Sequence, residues 1–190
     1  MRVQLSLPRL LRGLAPGPKG RLGPGLLMAA ALAGCAPELD WREVRPTGQS
    51  IQALFPCKPI AQERSVRLSG KPVWLTLQAC GAGGQTWGLA SADLGDPTLV
   101  GRALTELGTA AALNIGATVP VPAPLLVPGA TPNPASQRAS LQGTLPDGKA
   151  VQMQLAVFAH GTRVYQATVL GPQVPAAAAQ TFLGALRIAP

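Results

Sequence analysis

Residues 71–91 read KPVWLTLQACGAGGQTWGLAS. Val73, Leu75 and Leu77 alternate with Trp74, Thr76 and Gln78. A period of two places the apolar set on one face of a strand. Gly81-Ala82-Gly83-Gly84 interrupts the pattern with a turn, and Trp87, Leu89 and Ser91 resume it. Two strands joined by so short a turn must run antiparallel.

The same pattern extends in both directions. On the N-terminal side, Ile51, Ala53 and Phe55 form one run that stops at Pro56, and Val66 and Leu68 form another. Ser69-Gly70-Lys71-Pro72 then supplies a turn. The four runs, with hairpin-length gaps, predict an antiparallel meander. On the C-terminal side the period changes. Asp96-Pro97 is a helix start, with Asp as cap and Pro at the first helical position. Leu99, Val100, Ala103, Leu104, Leu107, Ala110 and Ala111 recur at three and four residues and make one apolar face. Arg102 and Glu106 can pair on the solvent side, and Asn114 and Gly116 supply the end.

The stretch 119–134 carries six prolines and reads as an extended connector rather than a strand. A partner-binding polyproline segment is the alternative, but Pro122-Ala123-Pro124-Leu125-Leu126 lacks the flanking charges that help such ligands. Strands return at Ser140–Leu145, Val151–Val157 and Tyr165–Val169, with turns at Pro146-Asp147-Gly148 and His160-Gly161. A last helix places Ala178, Ala179, Phe182, Leu183 and Leu186 on one face. The expected class is α+β: an antiparallel sheet of about seven strands with two helices packed on it. Aromatic residues are only 4% of the chain, so the core is expected to rest on Leu, Val and Ala.

The first 34 residues differ from the rest. A basic, proline-interrupted start leads to an apolar run, Leu26-Leu27-Met28-Ala29-Ala30-Ala31-Leu32-Ala33. About eight residues fall far short of the roughly 20 that span a bilayer, and this is the physical form of an export signal. The basic part is long for such a leader, which fits a start downstream of Met1. The run ends in Leu32-Ala33-Gly34-Cys35, which resembles the lipobox of bacterial lipoproteins. That resemblance implies transfer of diacylglycerol to Cys35, cleavage before it, and a mature chain held to a membrane by lipid. Ala36, where an Asp tends to retain such proteins at the inner membrane, implies the outer membrane and a periplasmic face. The competing reading is an ordinary secretory signal with a chance cysteine. Residues 35–48 are polar and read as a lipidated N-terminus and tether. Trp41 there would sit either at lipid headgroups or on the domain. Residues 49–190 form the expected single domain.

Charge and cysteine count follow from that division. Five of the sixteen basic residues precede Cys35, so eleven face all eight acidic ones beyond it, a balance of about +3. Neither a basic stripe nor interleaved aromatics mark a nucleic-acid binder. With Cys35 assigned to lipid, Cys57 and Cys80 are left as a pair in an oxidising compartment. Two thiols without a nearby His or Asp make a poor metal site, and a redox pair is more often spaced C-x-x-C. A structural disulfide is expected, provided that their strands bring the two ends together.

The segment LFPCKP at 54–59, the strand-turn-strand after it, and FLGALRI at 182–188 resemble PsbP-like periplasmic or lipid-anchored domains. Those often open with Phe-Pro-x-Lys-Pro and close with a helix carrying Phe and Leu. That fold has no single activity, so the resemblance implies a fold and no function. The catalytic repertoire is thin. His160 is the one histidine, in a turn, and Gly-x-Ser-x-Gly is absent. Gly81–Gly84 matches neither a dinucleotide loop nor a P-loop. No catalytic residue, metal site or cofactor is expected. The first functional reading is a non-enzymatic, membrane-anchored envelope domain that binds a protein partner or supports an assembly. The second is a carrier or sensor for a small apolar ligand between sheet and helix. The third is a hydrolase, which would need His160 to meet a carboxylate and a Ser.

Overall fold

Alternation becomes strand, and the 3.6-residue period becomes helix, in a computed structural model that describes residues 38–118 and 123–189. The leader, Cys35 and Ala36 lie outside the described residues, as do 119–122 of the proline-rich run. In chain order the elements are β1 (Arg42–Val44), β2 (Ile51–Phe55), β3 (Ile60–Leu68), β4 (Lys71–Ala82), β5 (Gln85–Asp93), α1 (Val100–Asn114), β6 (Ala123–Pro124), β7 (Gln137–Thr144), β8 (Ala150–His160), β9 (Arg163–Gly171), α2 (Ala176–Gly184) and β10 (Arg187–Ile188). Seven strands form one antiparallel sheet in the order β3-β4-β5-β9-β8-β7-β6, and β1-β2-β10 form a small second sheet. The architecture is α+β, as the sequence predicts.

The large sheet is covered on both faces. In β8, Val151, Met153, Leu155, Val157 and Ala159 turn one way and join α1, while Ala156 and Phe158 turn the other way. The α1 layer is aliphatic: Val100, Ala103, Leu104 and Ala111 pack on Leu75, Leu155 and Val164. Asp96 caps as expected, accepting hydrogen bonds from the Thr98 N–H and hydroxyl. It caps a 3-10 turn at Pro97–Leu99, and α1 itself starts at Val100. Arg102 and Glu106 pair at 2.8 Å. Glu106 also accepts from the Ser69 N–H at 2.6 Å, which ties α1 to the β3–β4 turn.

The opposite layer is aromatic, against the expectation of a core of Leu, Val and Ala throughout. Phe55 and Trp87 both stand edge-on to Phe182, at 5.1 and 5.5 Å between centroids, and Phe158 stacks on Tyr165 at 5.1 Å. Six of the seven aromatic side chains gather in this layer, and Trp74 alone stays outside. A small number of aromatics concentrated in one layer supplies the large buried areas that a thin composition hides.

Three boundaries differ from the sequence reading. Ile51–Phe55 leaves the predicted meander and becomes the centre of the small sheet, pairing with β1 and β10. It is buried on both faces, Gln52 included, so it needs a cover on each side that a meander strand would lack. The tether ends early: Arg42–Val44 pairs with β2, the Asp40 N–H bonds the Pro56 carbonyl, and Trp41 stands edge-on to Trp87 at 5.8 Å. Trp41 therefore belongs to the domain. Within the proline-rich stretch, Ala123–Pro124 pairs with β7, and Thr131 bridges Ala159. Pro124 is tolerated because it lies on a sheet edge.

The end of α1 rests directly on β7. The Thr144 N–H bonds the Ile115 carbonyl at 2.6 Å, and a Cβ on Gly143 would stand 2.0 Å from that same oxygen. Gly143→Ala must push the helix end off the sheet. Its expected cost of roughly 1–3 kcal/mol should lower Tm by about 3–10 °C. Gly81→Ala, whose Cβ would meet nothing nearer than 3.9 Å, serves as the control in the same thermal scan and should shift Tm little.

Candidate functional site

Helix α2 is nine residues long and starts with Ala176, Ala177, Ala178 and Ala179. So short a helix with such small side chains covers β2 and the sheet centre but not the β7 edge. A groove of about 630 Å³ remains between α2 and that edge. Its floor is the aromatic-side face of β7 and β8: Arg138, Ser140, Gln154 and Ala156. Ala179 and Leu183 of α2 form one wall, and Leu125 and Leu126, just after β6, form the other. The floor is fixed by a hydrogen bond from the Gln154 amide to the Ser140 hydroxyl at 2.8 Å. Arg138 is exposed and has no carboxylate partner among the described residues. Leu126, at the rim, is 98% exposed.

Leu125 also borders two further hollows. One, of about 790 Å³, lies toward α1 beside Thr105 and Gly108, and the other, of about 340 Å³, lies beneath Val127 and Phe158. Ser136 lines both, and its buried hydroxyl has no hydrogen-bond partner. Hollows therefore flank the short segment from β6 to Leu126. Below it Val127 is anchored in the aromatic layer, and the Ile188 N–H bonds the Pro128 carbonyl at 2.8 Å.

The residues named from sequence fall elsewhere. Cys57, in the bend after β2, and Cys80, on β4, form a disulfide with Cα atoms 6.1 Å apart. Their strands are not sheet neighbours: the two sulfurs meet because the small sheet stacks over the large one. His160 Nδ1 lies 3.0 Å from the Gly129 carbonyl, so the ring braces the loop before β7. Of the carboxylates, Asp96 caps the 3-10 turn, Asp147 lies in the β7–β8 turn and Asp93 ends β5, whereas Glu43, Glu63 and Glu106 lie on β1, β3 and α1. Hydrogen bonds from the Thr162 hydroxyl and the Gly95 N–H, with Arg163 beside them, hold the Asp93 carboxyl below its usual range. The Ser69 N–H and Arg102 do the same for Glu106. Burial pushes the Tyr165 phenol up. Among the described residues no group of three His, Cys, Asp or Glu is placed to hold a metal ion.

Leu104, where the sequence placed a possible ligand cavity, is fully buried beneath α1, and the groove opens on the opposite face of the sheet. From sequence, Ser140 opens a predicted strand and Arg138 lies just before it, whereas β7 begins at Gln137 and includes both. Their signal was that polar residues fill this face in β7, while Trp87, Leu89, Ala167 and Val169 fill it in β5 and β9. No protein-family model, no curated protein and no solved structure matches the chain.

The disulfide closes a loop of 23 residues' separation and is expected to contribute roughly 3 kcal/mol by restricting the unfolded chain. Neither cysteine should react with an alkylating agent in denaturant without reductant. Reduction should then lower Tm by about 5–12 °C. Labelling of Cys57 or Cys80 before reduction would refute the pairing in the cell.

Proposed function

We propose that this chain is an exported lipoprotein, anchored by lipid on Cys35 to the outer membrane and facing the periplasm, whose domain binds another envelope protein without catalysing a reaction. The observation that carries the binding reading is the open groove between α2 and the β7 edge. Its walls, Leu125, Leu126, Ala179 and Leu183, are apolar, and its floor presents the Arg138 cation without an ionic partner. That combination fits an extended segment of a partner protein that brings apolar side chains and an acidic group. The disulfide supports the address, because such bonds form and persist in oxidising compartments. Among the described residues no helix is long and apolar enough to cross a membrane.

A small apolar ligand is the second reading, favoured by the same leucine and alanine walls. It ranks lower because carrier pockets bury about 70–90% of their ligand, whereas this groove is open and Leu126 stands out of it. The hydrolase reading falls to third, since the His160 ring faces a backbone carbonyl and not a nucleophile.

Two measurements check the proposal. Cys35→Ser should abolish incorporation of labelled fatty acid, leave the chain largely uncut at Gly34, and remove it from the outer-membrane fraction. Wild-type protein found in the cytoplasm with Met1 intact would overturn the address. For the groove, a photo-crosslinking residue at Leu126 should capture a discrete envelope protein in living cells, joined through a segment that carries an acidic residue. Arg138→Glu should reduce that adduct roughly tenfold, as expected when a close charge pair becomes a repulsion. An adduct with a small molecule would favour the carrier reading, and no adduct would reject the groove.

A further inference from the structure

Among the described residues β3 has a neighbour on one side only, and its other edge is open for nine residues. Edges of this length are normally blunted by a proline, a bulge, a cover or charged side chains. Of these Ile60–Leu68 carries only the charges of Glu63, Arg64 and Arg67, and its register with β4 runs unbroken from Ile60↔Ala79 to Leu68↔Lys71. Beside it stands Trp74, the one aromatic side chain left out of the core, 69% exposed and paired with Ser65. We propose that β3 is a self-pairing edge, through which two copies of this chain join their sheets antiparallel about a twofold axis at Ser65.

The register follows from three constraints. Pro72 has no N–H, so Arg67↔Pro72 is a pair that exchanges no ladder hydrogen bonds. Arg67 therefore directs its backbone N–H and carbonyl away from β4, and by the period of two so do Ala61, Glu63 and Ser65. A twofold axis normal to the sheet keeps each face on its own side, so a residue can oppose only a residue of its own face. The axis must then pass through a residue, and charge selects which one. An axis at Glu63 sets two carboxylates opposite each other, and one at Arg64 sets two guanidinium groups opposite each other. An axis at Val66 leaves Glu63 facing the partner's Ser69. An axis at Ser65 places Glu63 opposite the partner's Arg67 and Arg67 opposite the partner's Glu63, on residues whose backbone groups already point outward.

The side chains on both faces agree with this register. On the Trp74 face the order across the joint becomes Trp74, Ser65, the partner's Ser65, the partner's Trp74. The two tryptophans would have backbones about 14 Å apart, three strand spacings, with only the small serines between them. Each indole can lean over the serines and lose its exposure to water. On the α1 face Val66 meets the aliphatic stem of the partner's Arg64. The edge charges, which would repel a mismatched strand, here select a second copy.

The test uses the full chain in its own cell envelope. Residues opposed across a hydrogen-bonded pair have Cα atoms about 5.5 Å apart, within disulfide reach. Ser65→Cys should therefore yield a covalent dimer on a non-reducing gel, above the level given by wild type with its native cysteines. Ala61→Cys should not, because the two copies of that position would lie about 27 Å apart. In the Ser65→Cys chain, Glu63→Arg or Arg67→Glu alone should reduce the dimer roughly tenfold, and both together should restore it. Unchanged oxidation of Cys57 and Cys80 shows that each variant still folds. The proposal is overturned if Ser65→Cys stays monomeric, if Ala61→Cys dimerises equally, if the double charge swap fails to restore the dimer, or if Ser65→Cys joins a different protein.

Discussion

Eight register pairs between β5 and β9, from Thr86↔Leu170 to Asp93↔Arg163, join two meanders that are far apart in the chain. The first, β3-β4-β5, closes through local turns, and so does the second, β7-β8-β9. Their junction must bring together residues 70 to 84 positions apart, with α1 and the proline-rich stretch in between, so it carries a large loop-closure cost that neither meander meets alone. Both layers of the core draw on it. α1 crosses from the second meander to the β3–β4 turn, and the aromatic layer takes Trp87 from one meander and Tyr165 and Phe158 from the other. At the top of the junction Asp93 binds the Thr162 hydroxyl and Arg163. At its centre Gly88 leaves room for the Thr168 side chain.

The two faces of this sheet solve different problems. Under α1 the aliphatic side chains interdigitate with a regular helix, and the layer is filled. On the other face the cover is irregular, a nine-residue helix and a three-stranded ribbon, and large flat rings suit such a cover better than methyl groups. The rings reach only as far as β8. Beyond them the sheet continues without a lid, and the groove is the uncovered remainder. The site thus arises from a mismatch between a wide sheet and a short cover, with alanines on α2 and polar residues on β7 keeping it open.

What was legible in the sequence followed from periodicity. The alternation in Val73–Leu77, Val151–Val157 and Tyr165–Val169 gave strands of one antiparallel sheet, and the spacing from Leu99 to Ala111 gave the helix upon it. Counting cysteines found the disulfide, although its strands proved to be stacked and not adjacent. Ile51–Phe55 misled because its alternation is irrelevant to a strand buried on both sides. Arg42–Val44 looked like tether because an edge strand with Arg42 and Glu43 turned to solvent has a tether's composition. The groove was out of reach, because it depends on how far α2 extends over the sheet, which no local pattern in β7 encodes. The reading of the leader and Cys35 concerns residues outside those described, and it stands on the sequence.

The Cys57–Cys80 bond also determines how the domain would bear a load. A pull entering from the N-terminal side reaches β1 and β2 first, since the chain from Glu38 runs straight into the small sheet. Past Phe55 the tension meets Cys57, and the covalent bridge carries it across to Cys80 on the large sheet. Residues 58–79, which include all of β3 and most of β4, are short-circuited. Roughly 75 Å of contour cannot be paid out while the bond is intact. Of the large sheet's first hairpin, β3–β4, only the end of β4 from Cys80 onward then lies in the force path, and β3 keeps its shape while the rest of the domain is strained.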